Sequence, residues 1–162
     1  ATKQLSIPFC LAYWQFVTAT LRLQDQDVHD TLAPVGFTFG DDVARTKVWL
    51  NRLRDIVERP VRNDVYDWAS CRLAIDCRSH YLSEANTAIR VRGPAECLMF
   101  YRAAAGAGGD FRLLRARGNF RTVLHGLLKT AWTATSPAMA AALSGAGVTV
   151  IDDLPAAGMN HN

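Results

Sequence analysis

The sequence predicts an all-α protein: a four-helix bundle with a short β-like edge and an irregular C-terminal extension. Three observations carry this expectation. Trp49, Leu50, Leu53, Ile56 and Val57 recur at helical spacing between a start signal at Gly40-Asp41-Asp42 and a stop at Pro60. Phe120, Val123, Leu124, Leu127, Leu128 and Ala131 hold the i, i+3, i+4, i+7 pattern without a break. Between them, residues 64–82 carry two apolar stripes, one of Tyr66, Ala69, Leu73, Cys77 and Tyr81 and one of Trp68, Cys71, Ile75 and Leu82. A helix that is apolar on two sides packs between neighbours, as in a bundle.

The 162 residues suffice for one domain with a real core, read as a helical domain over 1–145 and a tail over 146–162. Hydrophobic content of 49% and charge of 20% are ordinary for a globular chain and argue against wholesale disorder. The net charge of +3 is modest, but the cations are 15 Arg against 3 Lys. Arginine suits bidentate pairing with phosphate and carboxylate. A GC-rich coding sequence would raise Arg and Ala as well.

The elements follow in order. Phe9 to Leu23 is a strongly apolar helix, and its core run Ile7 to Val17 is too short to span a bilayer, so no membrane segment is expected. Gln24 to Asp30 either extends that helix or forms a loop, with His29 as a surface histidine. Val35, Phe37 and Phe39 alternate as a short β-like edge. Asp41 and Asp42 cap the next helix and complement its dipole. On it Arg45, Arg52 and Arg59 stand seven apart and drift only about 20° per heptad, forming one column. The column is either a solvated face or a surface that meets phosphate. Asp55 and Arg59 are spaced for an i,i+4 pair, as are Arg72 and Asp76 on the following helix, which Asn63 caps.

Ser83 to Gly93 carries no helical stripe. Arg90 and Arg92 alternate with Ile89 and Val91, placing both arginines on one side of an extended backbone, as a phosphate contact or a solvated loop. Pro94 opens a helix to Ala105, and the glycine run Gly106 to Asp110 then reads as a mobile loop. Arg112, Arg115 and Arg117 follow, and Asn119 caps the helix of Phe120. Ser136-Pro137 starts a short Ala-rich turn ending at Gly145. Val148 to Ile151 reads as a small strand and Pro155 to Asn162 as a loose tail.

Catalytic and metal motifs are missing: no Walker loop, no HExxH, no GxSxG, no CxxC. Cys77 and His80 share a helix face but lack a third ligand, so neither metal nor cofactor is expected. Cys10, Cys71, Cys77 and Cys97 read as buried, reduced thiols of an intracellular protein.

A family resemblance rests on residues spread from Ser6 to Thr133. Ser6-Ile7-Pro8-Phe9 leads through an apolar run to Trp14. Leu32 and Phe37 precede Ala44-Arg45-Thr46 at the opening of an amphipathic helix. Val65-Tyr66 starts a third helix, and Arg90 and Arg92 follow it. Phe120 precedes Leu128 and Trp132-Thr133. This order resembles the coat proteins of rod-shaped plant RNA viruses of the tobacco mosaic virus type, as a distant relative. In that family the fourth helix is long and continuous, where Gly106 to Asp110 here reads as an interruption.

The resemblance implies a non-enzymatic coat subunit, found in the virion and, before assembly, in the host cytoplasm. Its partners would be single-stranded RNA and further copies of itself in a helical polymer. Arg45, Arg90 and Arg92 correspond to the arginines that meet RNA phosphates, leaving Arg52 and Arg59 to subunit contacts or solvent. Asp55 and Glu58 lie near the positions of carboxylates whose repulsion across subunit contacts drives disassembly. Two other readings remain open on the residues alone: a helical nucleic-acid- or protein-binding module that does not polymerise, and a helical enzyme with an unrecognised site.

Overall fold

A computed structural model describes residues 6–22 and 27–148. The all-α expectation holds: the described residues are 73% helix and 4% strand. The first helix, α1, spans Ile7–Leu21, with Pro8 in its first turn, where a missing N–H costs nothing. A short α2, Val28–Leu32, is capped by Asp27 and runs into a 3-10 turn at Ala33–Val35. Helix α3, Val43–Val57, begins at the Asp42 cap and passes at Glu58 into the single turn α4, Arg59–Arg62. Pro60 sits inside α4, so the helix ends a little before the proline that was expected to stop it.

The long third helix expected over 64–82 is not formed. Tyr66–Asp67 is a short strand, β1, Trp68–Ser70 is a 3-10 turn, and only Leu73–Ser83 is helical, as α5. Tertiary packing overrides the helical stripes. Strand β1 pairs antiparallel with β2, Arg117–Gly118, with Tyr66 opposite Gly118. That pairing lets Trp68 join a nest of rings, with Tyr66 at 5.2 Å, Phe111 at 5.3 Å and Phe120 at 5.5 Å between ring centres. What remains, α5, buries none of its residues, and Ile75 and Leu82 are exposed. It is not the helix sandwiched on two sides that its stripes suggest.

Two further expectations are corrected. Residues 83–93 contain a one-turn helix, α6, Ala85–Ala88. The glycine run does not break its helix: α7 is continuous over Ala95–Leu113. Each glycine costs about 1 kcal/mol relative to alanine there, but Gly108 lies against the Trp68 ring and Phe111 anchors the far end in the ring nest. Helix α8, Phe120–Thr133, is capped by Asn119 as expected, and α9, Pro137–Gly145, by Ser136. It ends on left-handed Gly147, where Val148 N–H reaches back to the Leu143 carbonyl at 2.9 Å. Leu23 to Gln26, the rest of the strand expected from Val148 and the tail from Pro155 lie outside the described residues.

The main core lies where α2, α3 and the segment after α6 meet. Val28, Trp49 and Leu50 are its buried centre, flanked by Phe16, Leu32, Phe39, Leu53, Ala88 and Val91. Trp49 stacks on His80 at 5.1 Å, which holds α5 against α3. Among the described residues no helix is long and apolar enough to cross a membrane.

Candidate nucleic-acid interface

The predicted β-like edge exists as a single bridge, and that bridge builds the candidate site. Thr38 and Arg92 exchange two backbone hydrogen bonds, each 2.9 Å. Close approaches flank the bridge. Phe37 faces Gly93, where an added Cβ would stand 2.9 Å from the Phe37 ring. Gly40 faces Arg90, where an added Cβ would stand 2.7 Å from the Arg90 side chain. Two glycines thus let the two segments approach without side-chain obstruction.

Just past Gly40, the Asp42 carboxylate accepts from the Arg45 backbone N–H at 3.0 Å and starts α3. Arg45 thus lies in the first turn of α3. Of the other two arginines named from sequence, Arg92 pairs with Thr38 and Arg90 stands against Gly40, both shortly before α3 in the chain. Arg90 and Arg92 are exposed, and neither makes an ion pair within the described residues. The chain around Arg90 is a turn and becomes extended only at Arg92, so the two arginines do not project from one continuous extended strand as expected.

The expected arginine column is split, because Arg45 and Arg52 lie on α3 whereas Arg59 lies past Glu58 in α4, and all three are answered by acids the sequence did not reveal. Arg45 donates from Nε and Nη2 to Glu84 at 3.2 and 3.1 Å, and Arg52 lies 3.5 Å from the same carboxylate. Arg59 pairs with Asp76, which Arg72 also approaches at 4.0 Å. The column is neither a bare solvated face nor a uniform phosphate surface. Glu84 lies 39 residues from Arg45 in the chain, and no local pattern links them.

The two candidate interface carboxylates separate. Asp55 is exposed and pairs with Arg54 at 3.4 Å and Arg62 at 3.9 Å, while Arg59, its expected partner, turns to Asp76. Glu58 is buried at 3% exposure. It accepts from Thr20 Oγ1 at 2.7 Å and from Arg62 Nε at 2.8 Å, and Arg62 Nη2 is 2.7 Å away. These partners of Glu58 all lie within the same chain.

Other sequence candidates have structural roles. His29 is not a surface histidine: it lies against Phe39 at 4.2 Å and bonds Asp30 at 2.9 Å. Asp27, His29 and Asp30 are close enough to share a metal ion. The Lys47 ammonium already fills the cationic role there, at 2.6 Å from Asp27 and 3.1 Å from Asp30. Its hydrogen bond holds Asp27 below the usual carboxylate range, and His29 and then Lys47 do the same for Asp30. His80 is spent on the Trp49 carbonyl at 3.0 Å. All four cysteines are free thiols, but only Cys97 is buried; Cys10, Cys71 and Cys77 are half-buried, which corrects the expectation for those three. Burial pushes the Cys10 and Cys77 thiols up, away from the reactive thiolate.

Comparisons with protein-family models, with curated proteins and with solved structures give no match.

Proposed function

We propose that the chain is a structural coat subunit that polymerises into a helical rod around single-stranded RNA and contacts its phosphates without reading sequence. The four longest helices, α1, α3, α7 and α8, would form the bundle of each subunit. Arg45, Arg90 and Arg92 are the proposed phosphate contacts. The observation that supports the reading is the bridge between Thr38 and Arg92, with Gly40 against the Arg90 side chain, in the segment that leads into α3 and Arg45. Backbone-directed arginines suit a protein that must accept any genome sequence.

Two further features support it. Large apolar side chains are exposed along α5, α7 and α8, among them Leu82, Leu98, Leu113, Leu127 and the adjoining Leu114, which suits a protein whose surface is completed by neighbours. The unbroken α7 accords with the long fourth helix of the rod-virus coat proteins. Asp55, exposed on α3, is the proposed carboxylate at a subunit contact; Glu58 is not. The reading places the chain in the virion, and in host cytoplasm before assembly.

Light scattering and negative-stain microscopy of the purified protein, with and without RNA, test the proposal. Rods whose length depends on RNA are the expected result. A compact monomer under all conditions of pH and salt would overturn it. Arg45→Gln, Arg90→Gln and Arg92→Gln together should abolish RNA incorporation while leaving the helical circular dichroism intact.

A further inference from the structure

We infer that Arg52 and Arg45 form a second phosphate position, which the Glu84 carboxylate holds closed in the free chain. The inference rests on the RNA-coat reading and extends it to a residue that the family resemblance leaves to subunit contacts or solvent. Arg45 and Arg52 stand two turns apart on α3, about 10 Å along its axis. Their guanidinium groups nevertheless converge. Arg45 Nε and Nη2 reach Oε2 of Glu84 at 3.2 and 3.1 Å, and Arg52 Nη1 stands 3.5 Å from Oε1. A carboxylate gripped by two cations marks a point where anionic oxygens are stabilised from both sides. A phosphodiester offers the same features: one negative charge and two unbridged oxygens for guanidinium donors.

The setting distinguishes this carboxylate from the others that arginines hold. Glu58 is buried, tied to Thr20 as well as Arg62, and cannot leave without stranding charge. Glu84 is partly exposed, at 23% of its side chain, and the two arginines are more than half exposed, at 57% and 64%. Although Glu84 stands at the start of α6, its side chain caps nothing. Among the described residues, the polar ties of that side chain are the two arginines. An RNA strand approaching Arg90 and Arg92, which have no ion pair among the described residues, meets Arg45 and Arg52 next. There its phosphate replaces the carboxylate, one anion for another. A lone phosphate gains little from that exchange. A polyanion already engaged at Arg90 and Arg92 gains a second foothold, so the closed pair favours long strands over small anions.

Fluorescence anisotropy with oligouridylate across a salt series tests this on the wild type and on Glu84→Gln, Arg52→Gln, the double variant and Arg90→Gln. Glu84→Gln should tighten binding by roughly three- to tenfold at fixed salt, since two partly exposed pairs are released. Adding Arg52→Gln should cancel that gain and flatten the salt slope by about 0.7, one phosphate contact on a single strand. Glu84→Ala should repeat the gain if the Gln amide itself re-engages the arginines. Thermal melts establish that each variant folds. If Glu84→Gln and Arg52→Gln both bind as the wild type does while Arg90→Gln weakens binding, the two-arginine site is overturned and the RNA reading stands. If no variant, nor the wild type, binds oligouridylate, both fall. If polyglutamate gains more than oligouridylate from Glu84→Gln, the site belongs to an acidic protein segment and the phosphate assignment is overturned.

Discussion

Arg121 donates from both Nε and Nη2 to the carbonyl oxygen of Leu21, at 2.9 and 2.6 Å, across 100 residues of sequence. Leu21 ends α1, where backbone carbonyls lack helical partners and the helix dipole is negative. A cation from the first turn of α8 satisfies both needs. Arg121 as a residue is 4% exposed, and burial holds its guanidinium below the usual arginine range. Replacing it with Met keeps the apolar stem and strands the carbonyl. Arg121→Met should therefore cost about 2–3 kcal/mol, and Arg121→Lys, which keeps the charge but loses the fork, about 1 kcal/mol. Urea unfolding of dispersed protein measures both. Equal losses in the two variants would show that the fork geometry is irrelevant.

The buried Glu58 makes a second stability test. Arg62 and Thr20 both bond its carboxylate, and Arg54 approaches at 3.9 Å. Glu58→Gln turns one acceptor into a donor facing Arg62 and should cost about 3 kcal/mol or more, because a cation is left partly buried. Thr20→Val keeps the shape and loses one hydrogen bond, for about 1 kcal/mol. If Glu58→Gln were harmless to the dispersed subunit and instead altered assembly, Glu58 would be a contact carboxylate after all.

The bridge at Thr38 and Arg92 depends on what is missing at Gly93. Gly93→Ala places a methyl group 2.9 Å from the Phe37 ring, so ring or backbone must shift. A loss of about 1–3 kcal/mol is expected for such overpacking. Gly40→Ala meets the Arg90 side chain instead, which is flexible and exposed. It should cost less stability and displace Arg90. Combined thermal melts and RNA titrations separate the two: Gly93→Ala lowers Tm, whereas Gly40→Ala mainly weakens RNA binding.

What was legible in the sequence is local. Asp42, Asn119 and Ser136 each cap a helix through an N–H three residues on, and each was readable from its neighbours. Arg45 and Arg52 were legible as a column because seven-residue spacing is a property of one helix, but Arg59 falls beyond the end of α3, in α4. The meaning of the column was not legible, since Glu84 and Asp76 come from other helices. The same limit explains the lost third helix. Tyr66 and Trp68 fit a helical stripe, but their ring partners Phe111 and Phe120 lie far down the chain. Those contacts favour β1 and a 3-10 turn. The glycine run failed in the opposite sense, because its local signal for a break is outweighed by the anchoring of α7 at Trp68 and Phe111.

The Asp27–Lys47–Asp30 cluster predicts a pH window. Asp27 is held low first by its hydrogen bond from Lys47, and Asp30 by His29 and Lys47. A depressed carboxylate contributes stability that is complete above its unfolded value, about 3.9, and lost as pH falls through the folded value. Lys47 is raised, so its contribution is complete below its unfolded value, about 10.4, and lost as pH rises through the folded one. Stability from this cluster should be flat between these limits and fall on either side. In Lys47→Met the acid-side fall attributable to the cluster should shrink, as read by thermal melts from neutral pH to below pH 4. An unchanged acid limb would mean that other carboxylates dominate it.

The most direct test of self-association uses Leu113 and Leu114. They are 84% and 76% exposed in the single chain, at the turn that leaves α7 for β2. Side chains this open contribute little to the fold of one subunit. Leu113→Asp with Leu114→Asp should therefore change the unfolding free energy of the single chain by less than about 0.5 kcal/mol. In a polymer the same leucines would each bury apolar area worth about 1.5–3 kcal/mol, and aspartates there would add a desolvation cost. The double variant should remain a folded monomer at concentrations where the wild type forms rods. Sedimentation velocity reads the difference. Rods of normal length would show that this turn faces solvent in the assembly and would move the search for the contact to Leu82 and Leu127 on α5 and α8, which are also exposed.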